Sequence, residues 1–163
     1  PGSGTHVFKV FAKADELSYC GVDISELMVT EAAKNNAGPV DKGNAQFYLS
    51  DGQKLDFESD SFDKIITVYT LYFWNDPVAY AKEILRVLKP GGMFCVCFAP
   101  KEFMVRLPFT GYIFKLYNLA EAEGILSSAG FTITSSNQHK EVVKTNAGEE
   151  VERDFIIINA RKE

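Results

Sequence analysis

Two glycines and one carboxylate carry the first chemistry that the chain offers. Gly2 and Gly4 lie in the run Pro1-Gly2-Ser3-Gly4-Thr5, and Asp23 follows an apolar stretch from Leu17 to Val22, nineteen residues after Gly4. Glycine lets a turn pass through positive φ and bring its backbone close to a ligand. An acid at the end of the following strand is where α/β folds grip the ribose of a nucleotide. Both ribose hydroxyls can donate to such a carboxylate, and charge-assisted bonds of this kind contribute about 1.5–3 kcal/mol. The strand that should feed the glycine turn is absent, so a chain lacking its own first strand is expected.

A second acid occupies a comparable place. Asp51, with Gly52 and Gln53, ends the strand-like run from Ala45 to Leu49 on the same side of the sheet as Asp23, although Asp-Gly is equally an ordinary tight turn. No His/Asp or Cys/His arrangement stands out, so no catalytic residue is named; Tyr69, Tyr72 or Trp74 could orient or deprotonate a substrate. The aromatic run Tyr72-Phe73-Trp74, continued by Phe103, Phe109, Tyr112, Phe114 and Tyr117, offers either a wall for an apolar substrate or simple packing onto the sheet. A phosphate loop of the Gly-x-x-x-x-Gly-Lys-Ser/Thr type is absent, which argues against nucleotide hydrolysis. Cys20, Cys95 and Cys97 sit in predicted strands and read as buried filler, because a zinc site needs four ligands and His6 and His139 lie elsewhere in the pattern.

The elements that position these residues follow from periodicity. Val7, Phe8, Phe11 and Ala14 repeat at helical spacing after the glycine turn, and the strand ending at Asp23 comes next. Ser25 is a natural N-cap, with Ile24 and Val29 as a staple, for a helix that runs out at Asn35-Asn36-Ala37-Gly38-Pro39. Phe62 to Leu71 reads as a strand covered on both faces. Asp76-Pro77 starts a helix that Lys89-Pro90-Gly91-Gly92 stops, and Met93 to Phe98 is another buried strand. Asn118 and Glu121 form a capping pair for a helix closed by Gly130, and two strand-like runs, Phe131 to about Val143 and Val151 to Ala160, must pair antiparallel because no crossover helix separates them.

At 163 residues, with 46% hydrophobic residues, the chain predicts one packed domain, residues 1–163, incomplete at its N-terminus. The net charge of −5 and the lack of a Lys/Arg block argue against nucleic acid as a partner and for a small molecule. No apolar run is long enough to span a membrane and no leader is visible, which predicts a cytoplasmic protein; the oligomeric state stays open.

Several ordered motifs over residues 1 to about 100 resemble the class I S-adenosylmethionine-dependent methyltransferases, specifically the small-molecule branch of ubiquinone and menaquinone biosynthesis enzymes. Pro1-Gly2-Ser3-Gly4-Thr5 is similar to the cofactor loop, Gly21-Val22-Asp23-Ile24-Ser25 to the ribose strand, and Asp51-Gly52-Gln53-Lys54-Leu55-Asp56-Phe57 with Ser61-Phe62-Asp63 to the adenine loop and next strand. Arg86-Val87-Leu88-Lys89-Pro90-Gly91-Gly92 is the most specific match. The resemblance implies an α/β fold, a Rossmann-like, doubly wound, mostly parallel sheet with an antiparallel C-terminal hairpin. It implies S-adenosylmethionine as cofactor, no metal, and methyl transfer to a small, apolar or aromatic metabolite. It further implies cofactor contacts from Gly2, Ser3, Gly4, Asp23, Ile24, Met28, Asp51, Gly52, Gln53, Val68 and Tyr69, and substrate contacts from Tyr72, Trp74, Phe109 and Tyr112. The alternatives are a cofactor-binding module without activity, a domain that keeps the fold only for structure or interaction, and a nicotinamide-dinucleotide domain. The last usually needs a third glycine where this chain has Val7.

Overall fold

The computed structural model describes residues 1–13, 16–107, 114–144, 148 and 150–163. They divide into two units, Pro1–Asp56 and Phe57–Glu163. Ala14, Phe109, Tyr112 and the Thr145–Ala147 connection lie outside the described residues.

The first unit contains α1 (Val7–Phe11), β1 (Tyr19–Asp23), α2 (Glu26–Asn35), α3 (Ala37–Asp41) and β2 (Ala45–Leu49). β1 and β2 pair in parallel from Tyr19↔Ala45 to Asp23↔Leu49, and α2 packs on both. Ser25 caps α2 as expected, its Oγ accepting the Met28 N–H at 3.4 Å. Ile24 does not close a staple: it is exposed, and its Cγ2 would lie 3.1 Å from a Cβ built on Gly52. The chain also does not leave helical structure at Asn35–Pro39. α3 follows at once, because Pro39 falls in its first turn, where a missing N–H costs no helical bond.

The second unit contains β3 (Phe62–Val68), α4 (Pro77–Val87), β4 (Leu88–Phe98), α5 (Lys101–Met104), α6 (Leu119–Ala129), β5 (Thr132–Lys144) and β6 (Glu150–Arg161). Its sheet runs β3-β4-β6-β5, with β3 and β4 parallel and the β4–β6 and β6–β5 pairs antiparallel. The parallel pairs and the hairpin together make the expected α/β architecture. Phe94, Val96 and Phe98 of β4 share a buried face with Ile156, Ile158 and Ala160 of β6, and α4 and α6 pack together over the same sheet. Asp76 caps α4 through the Ala79 N–H at 2.9 Å, and Asn118 and Glu121 close a reciprocal box at the start of α6.

Three expectations about this unit are corrected, and a fourth about the cysteines of both units. β3 stops at Val68, since Tyr69 turns to φ +56° and Leu71–Phe73 form a 3₁₀ turn. Its faces are not both covered, since Ile66 and Val68 remain half-exposed, and it has one partner strand among the described residues. α4 ends at Val87, ahead of Lys89–Gly92, which lie within β4 because Lys162 supplies ladder bonds there: Gly91 N–H donates to Lys162 O at 2.8 Å, and Lys162 N–H to Gly92 O at 3.1 Å. The three cysteines lie in strands but are only partly buried, all with free thiols. Burial pushes the Cys20 and Cys97 thiols up to about 11, so neither is a ready thiolate.

Among the described residues no helix is long and apolar enough to cross a membrane, and no group of three acids, histidines or cysteines could hold a metal ion.

Candidate functional site

The glycine turn and Asp23 meet directly. Gly2 and Gly4 adopt φ +56° and +69°, and the Gly2 N–H donates to Asp23 Oδ2 at 2.9 Å. The Ser25 N–H donates to Oδ1 at 3.0 Å. Burial alone would raise the Asp23 carboxyl, but the N–H groups of Ser25 and Gly2 outweigh it and hold the group below the ordinary carboxylate range. The ionised form is thus the stable one. A carboxylate offers about four lone-pair directions, so Asp23 can still accept a ligand hydroxyl.

Parallel pairing brings the second acidic turn alongside. The Ser50 N–H donates to Asp23 O at 2.9 Å, which sets Asp51 just beyond the last β1–β2 pair. Asp51 Oδ1 accepts the N–H groups of Gln53 at 2.8 Å and Lys54 at 2.9 Å, and these two bonds lower its pKa. Gly52 takes φ +73°, and its missing side chain leaves room for Ile24. The result is an exposed apolar side chain, Ile24, between two carboxylates at the carboxyl ends of parallel strands. Two acceptors with an exposed apolar side chain fit a ribose with an adjoining flat base, and Met28 stands on the first turn of α2.

Asn35 and Asn36, expected at the end of a helix, hold the glycine turn from behind. Asn35 Nδ2 donates to Ser3 O at 2.9 Å, and Asn36 Nδ2 donates to Gly4 O at 3.1 Å and to Ala32 O at 2.8 Å. Asn36 is 6% exposed, the one buried amide or charged residue among those described. A Cβ on Gly4 would lie 2.7 Å from its Nδ2, so the close approach needs glycine.

The remaining expected residues belong to the second unit. Val68 is half-exposed at the end of β3, and Tyr69 follows with its N–H on Cys97 O at 2.8 Å. Burial pushes the Tyr69 hydroxyl up to about 12. Tyr72 and Trp74, named for substrate contact, are only 3% and 4% exposed. The Tyr72 hydroxyl donates to Ala99 O at 3.2 Å and accepts the Ala99 N–H, while Trp74 meets Tyr80 edge-on at 4.9 Å. Both are thus engaged in packing. Glu141 and Arg153 were not anticipated; they face each other across β5 and β6, and Arg153 covers the Tyr69 ring. The hairpin register would have revealed the ion pair, but nothing local indicates its aromatic neighbour.

A family model described as a methyltransferase domain matches residues 1–96. The demethylmenaquinone methyltransferase of Lactococcus lactis subsp. lactis (strain IL1403) is 38% identical over 97 residues, covering 60% of this chain and 37% of that protein. Among solved structures, a SAM-dependent methyltransferase from Methanosarcina mazei aligns with a TM-score of 0.74 at 21% identity, covering 99% of this chain and 89% of its own. The [4+2]-cyclase SpnF aligns with a TM-score of 0.77 at 19% identity, covering 99% of this chain and 72% of its own. These two likenesses show the fold. The chain spans about half or less of the length of the curated relatives it matches.

Proposed function

Because the chain belongs to the class I S-adenosylmethionine-dependent methyltransferases, we propose that it transfers the cofactor's methyl group to a small, apolar or aromatic metabolite in the cytoplasm. The observation that carries this reading is the contact of the Gly2 N–H with Asp23, which joins the glycine turn to the ribose acid at the carboxyl end of a parallel strand. Asp23 receives the ribose hydroxyls, Ile24 and Met28 cover the adenosine, and Asp51, Gly52 and Gln53 meet the adenine edge. Gly2, Ser3 and Gly4 approach the methionine end; the family resemblance, rather than any contact, assigns Val68 and Tyr69 to its amino acid portion. Tyr72, Trp74, Phe109 and Tyr112 are assigned to the acceptor side; for Tyr72 and Trp74 this means shaping the wall, given their burial.

When bound, the cofactor supplies a methyl group already activated on a sulfonium. The protein's part is therefore alignment of the acceptor and exclusion of water. The name of the Lactococcus relative favours a quinone-like aromatic acceptor. On the same reading residues 1–163 belong to one domain.

The test is to incubate the protein with S-adenosylmethionine carrying a labelled methyl group and 1,4-dihydroxynaphthalene as probe. Label on the probe, with S-adenosylhomocysteine released, is the expected result. Binding without transfer to this or any aromatic probe would favour a second reading, a binding module or another reaction, since the fold also occurs in the [4+2]-cyclase SpnF. A larger thermal stabilisation by NAD than by S-adenosylhomocysteine would remove the methyltransferase reading.

A further inference from the structure

We propose that Asn35 and Asn36 are positioning residues that set the affinity for the methionine end of the cofactor, by fixing which way the peptide groups of the glycine turn face. The proposal rests on the methyltransferase reading above.

Each peptide group carries its carbonyl and its N–H on opposite sides, so anchoring one aims the other. Two consecutive carbonyls of the turn, those of Ser3 and Gly4, are anchored by two consecutive side-chain amides at the end of α2. The orientation of the Asn36 amide is fixed by chemistry, since both of its neighbours are carbonyl oxygens and only an NH₂ group can serve them. With the Gly4 carbonyl turned toward α2, the N–H of Thr5 is aimed to the far side of the turn. The Gly2 N–H is aimed at Asp23. The turn is thus held from the helix side by amides and from the strand side by a carboxylate, before any ligand arrives. Such preorganisation raises affinity by removing an ordering cost from the binding step.

A role limited to stabilising the fold makes a different prediction. Loss of Asn36 would then weaken every ligand of the site together, through the fraction of folded protein. A role in aiming the turn weakens only ligands that reach it. Adenosine ends at the ribose, whereas S-adenosylhomocysteine extends to the turn, and the ratio of their affinities isolates the effect.

The experiment measures the dissociation constants of both compounds by calorimetry for the wild-type chain and for Asn36→Asp, Asn36→Leu and Asn35→Ala. Asn36→Asp keeps the shape but sets a carboxylate against two carbonyls, and Asn36→Leu keeps the volume without donors. We expect both to weaken S-adenosylhomocysteine by about tenfold or more while adenosine changes by less than about threefold. Asn35→Ala, whose carbonyl partner can turn to water, should show the same selectivity at about threefold. Because Asn35 is more exposed, that variant keeps the test decisive if the Asn36 variants fail to fold. Equal loss of both ligands, or no loss of either, in folded variants overturns the proposal. Absence of S-adenosylhomocysteine binding in the wild type overturns the methyltransferase reading as well, and is distinguished by appearing before any substitution is made.

Discussion

The guanidinium of Arg153 stands 4.9 Å from the centre of the Tyr69 ring while its Nε donates to Glu141 Oε1 at 2.9 Å. The hairpin therefore touches the residue that follows β3. A bulky residue at positive φ costs about 1–2 kcal/mol and persists where its neighbours hold it. Here the holders are the Arg153 cation above the ring and the Cys97 carbonyl that accepts the Tyr69 N–H. Glu141 and Cys97 also bear on the hydroxyl.

That relationship predicts two shifts of opposite sign. Burial is the main reason the Tyr69 hydroxyl is raised to about 12, the Glu141 charge raises it further, and Arg153 lowers it. Arg153→Met should therefore raise the value and Glu141→Gln should lower it. The ring Cζ chemical shift of Tyr69 in ¹³C-tyrosine-labelled protein, followed into alkali, reads both; shifts of the same sign would contradict the arrangement.

Alkaline stability should fall in a defined window. Tyr19 and Tyr69 are each raised from 10.0 to about 12, chiefly by burial, so the folded state holds their protons more tightly than the unfolded state. Their contribution is fully present below pH 10 and is lost as pH rises toward 12. The urea midpoint is expected to decline steadily over that range, and a flat profile would show that neither ring is shielded from water.

Asp23→Ala should weaken S-adenosylhomocysteine by about 10–100-fold with the fold retained, from loss of charge-assisted contacts. The sign in acid follows from its lowered carboxyl: the contribution of the ionised group is present above 3.8 and disappears as pH falls through the depressed value. Calorimetric titration of wild type and variant checks the first claim. An unchanged affinity would take Asp23 out of the site.

Asn118→Ala removes one half of the box at the start of α6, where the Glu121 N–H meets Asn118 Oδ1 at 2.9 Å and the Asn118 N–H meets Glu121 Oε2 at 2.8 Å. Stability should drop by about 1 kcal/mol, seen as a lower urea midpoint at constant slope. Glu121→Gln, which keeps an acceptor, should lose less than half of that.

These caps show what was legible in the sequence. Ser25, Asp76 and Asn118 each begin a helix through a bond that spans three residues, so a short window contains both partners. Gly130 closes α6 at φ +104° for the same local reason. The misses share a different physics. Lys89–Gly92 read as a stop because the ladder bonds that keep them in a strand come from Lys162, some seventy residues later. Asp23 was legible because an acid after an apolar strand is a local pattern, whereas Asn36 was not. Its burial depends on Gly4, thirty-two residues away, and adjacent asparagines look like the end of a helix.

The position of β6 between β4 and β5 constrains the order in which the protein can be made. β4 and β5 emerge from the ribosome first and have no ladder bonds to each other, so each waits with an open edge. Neither edge is closed until synthesis has passed residue 161. A pause in translation between Lys144 and Glu150 would hold both edges open together, at the stage when a nascent chain is most prone to pair with its neighbours on the same messenger.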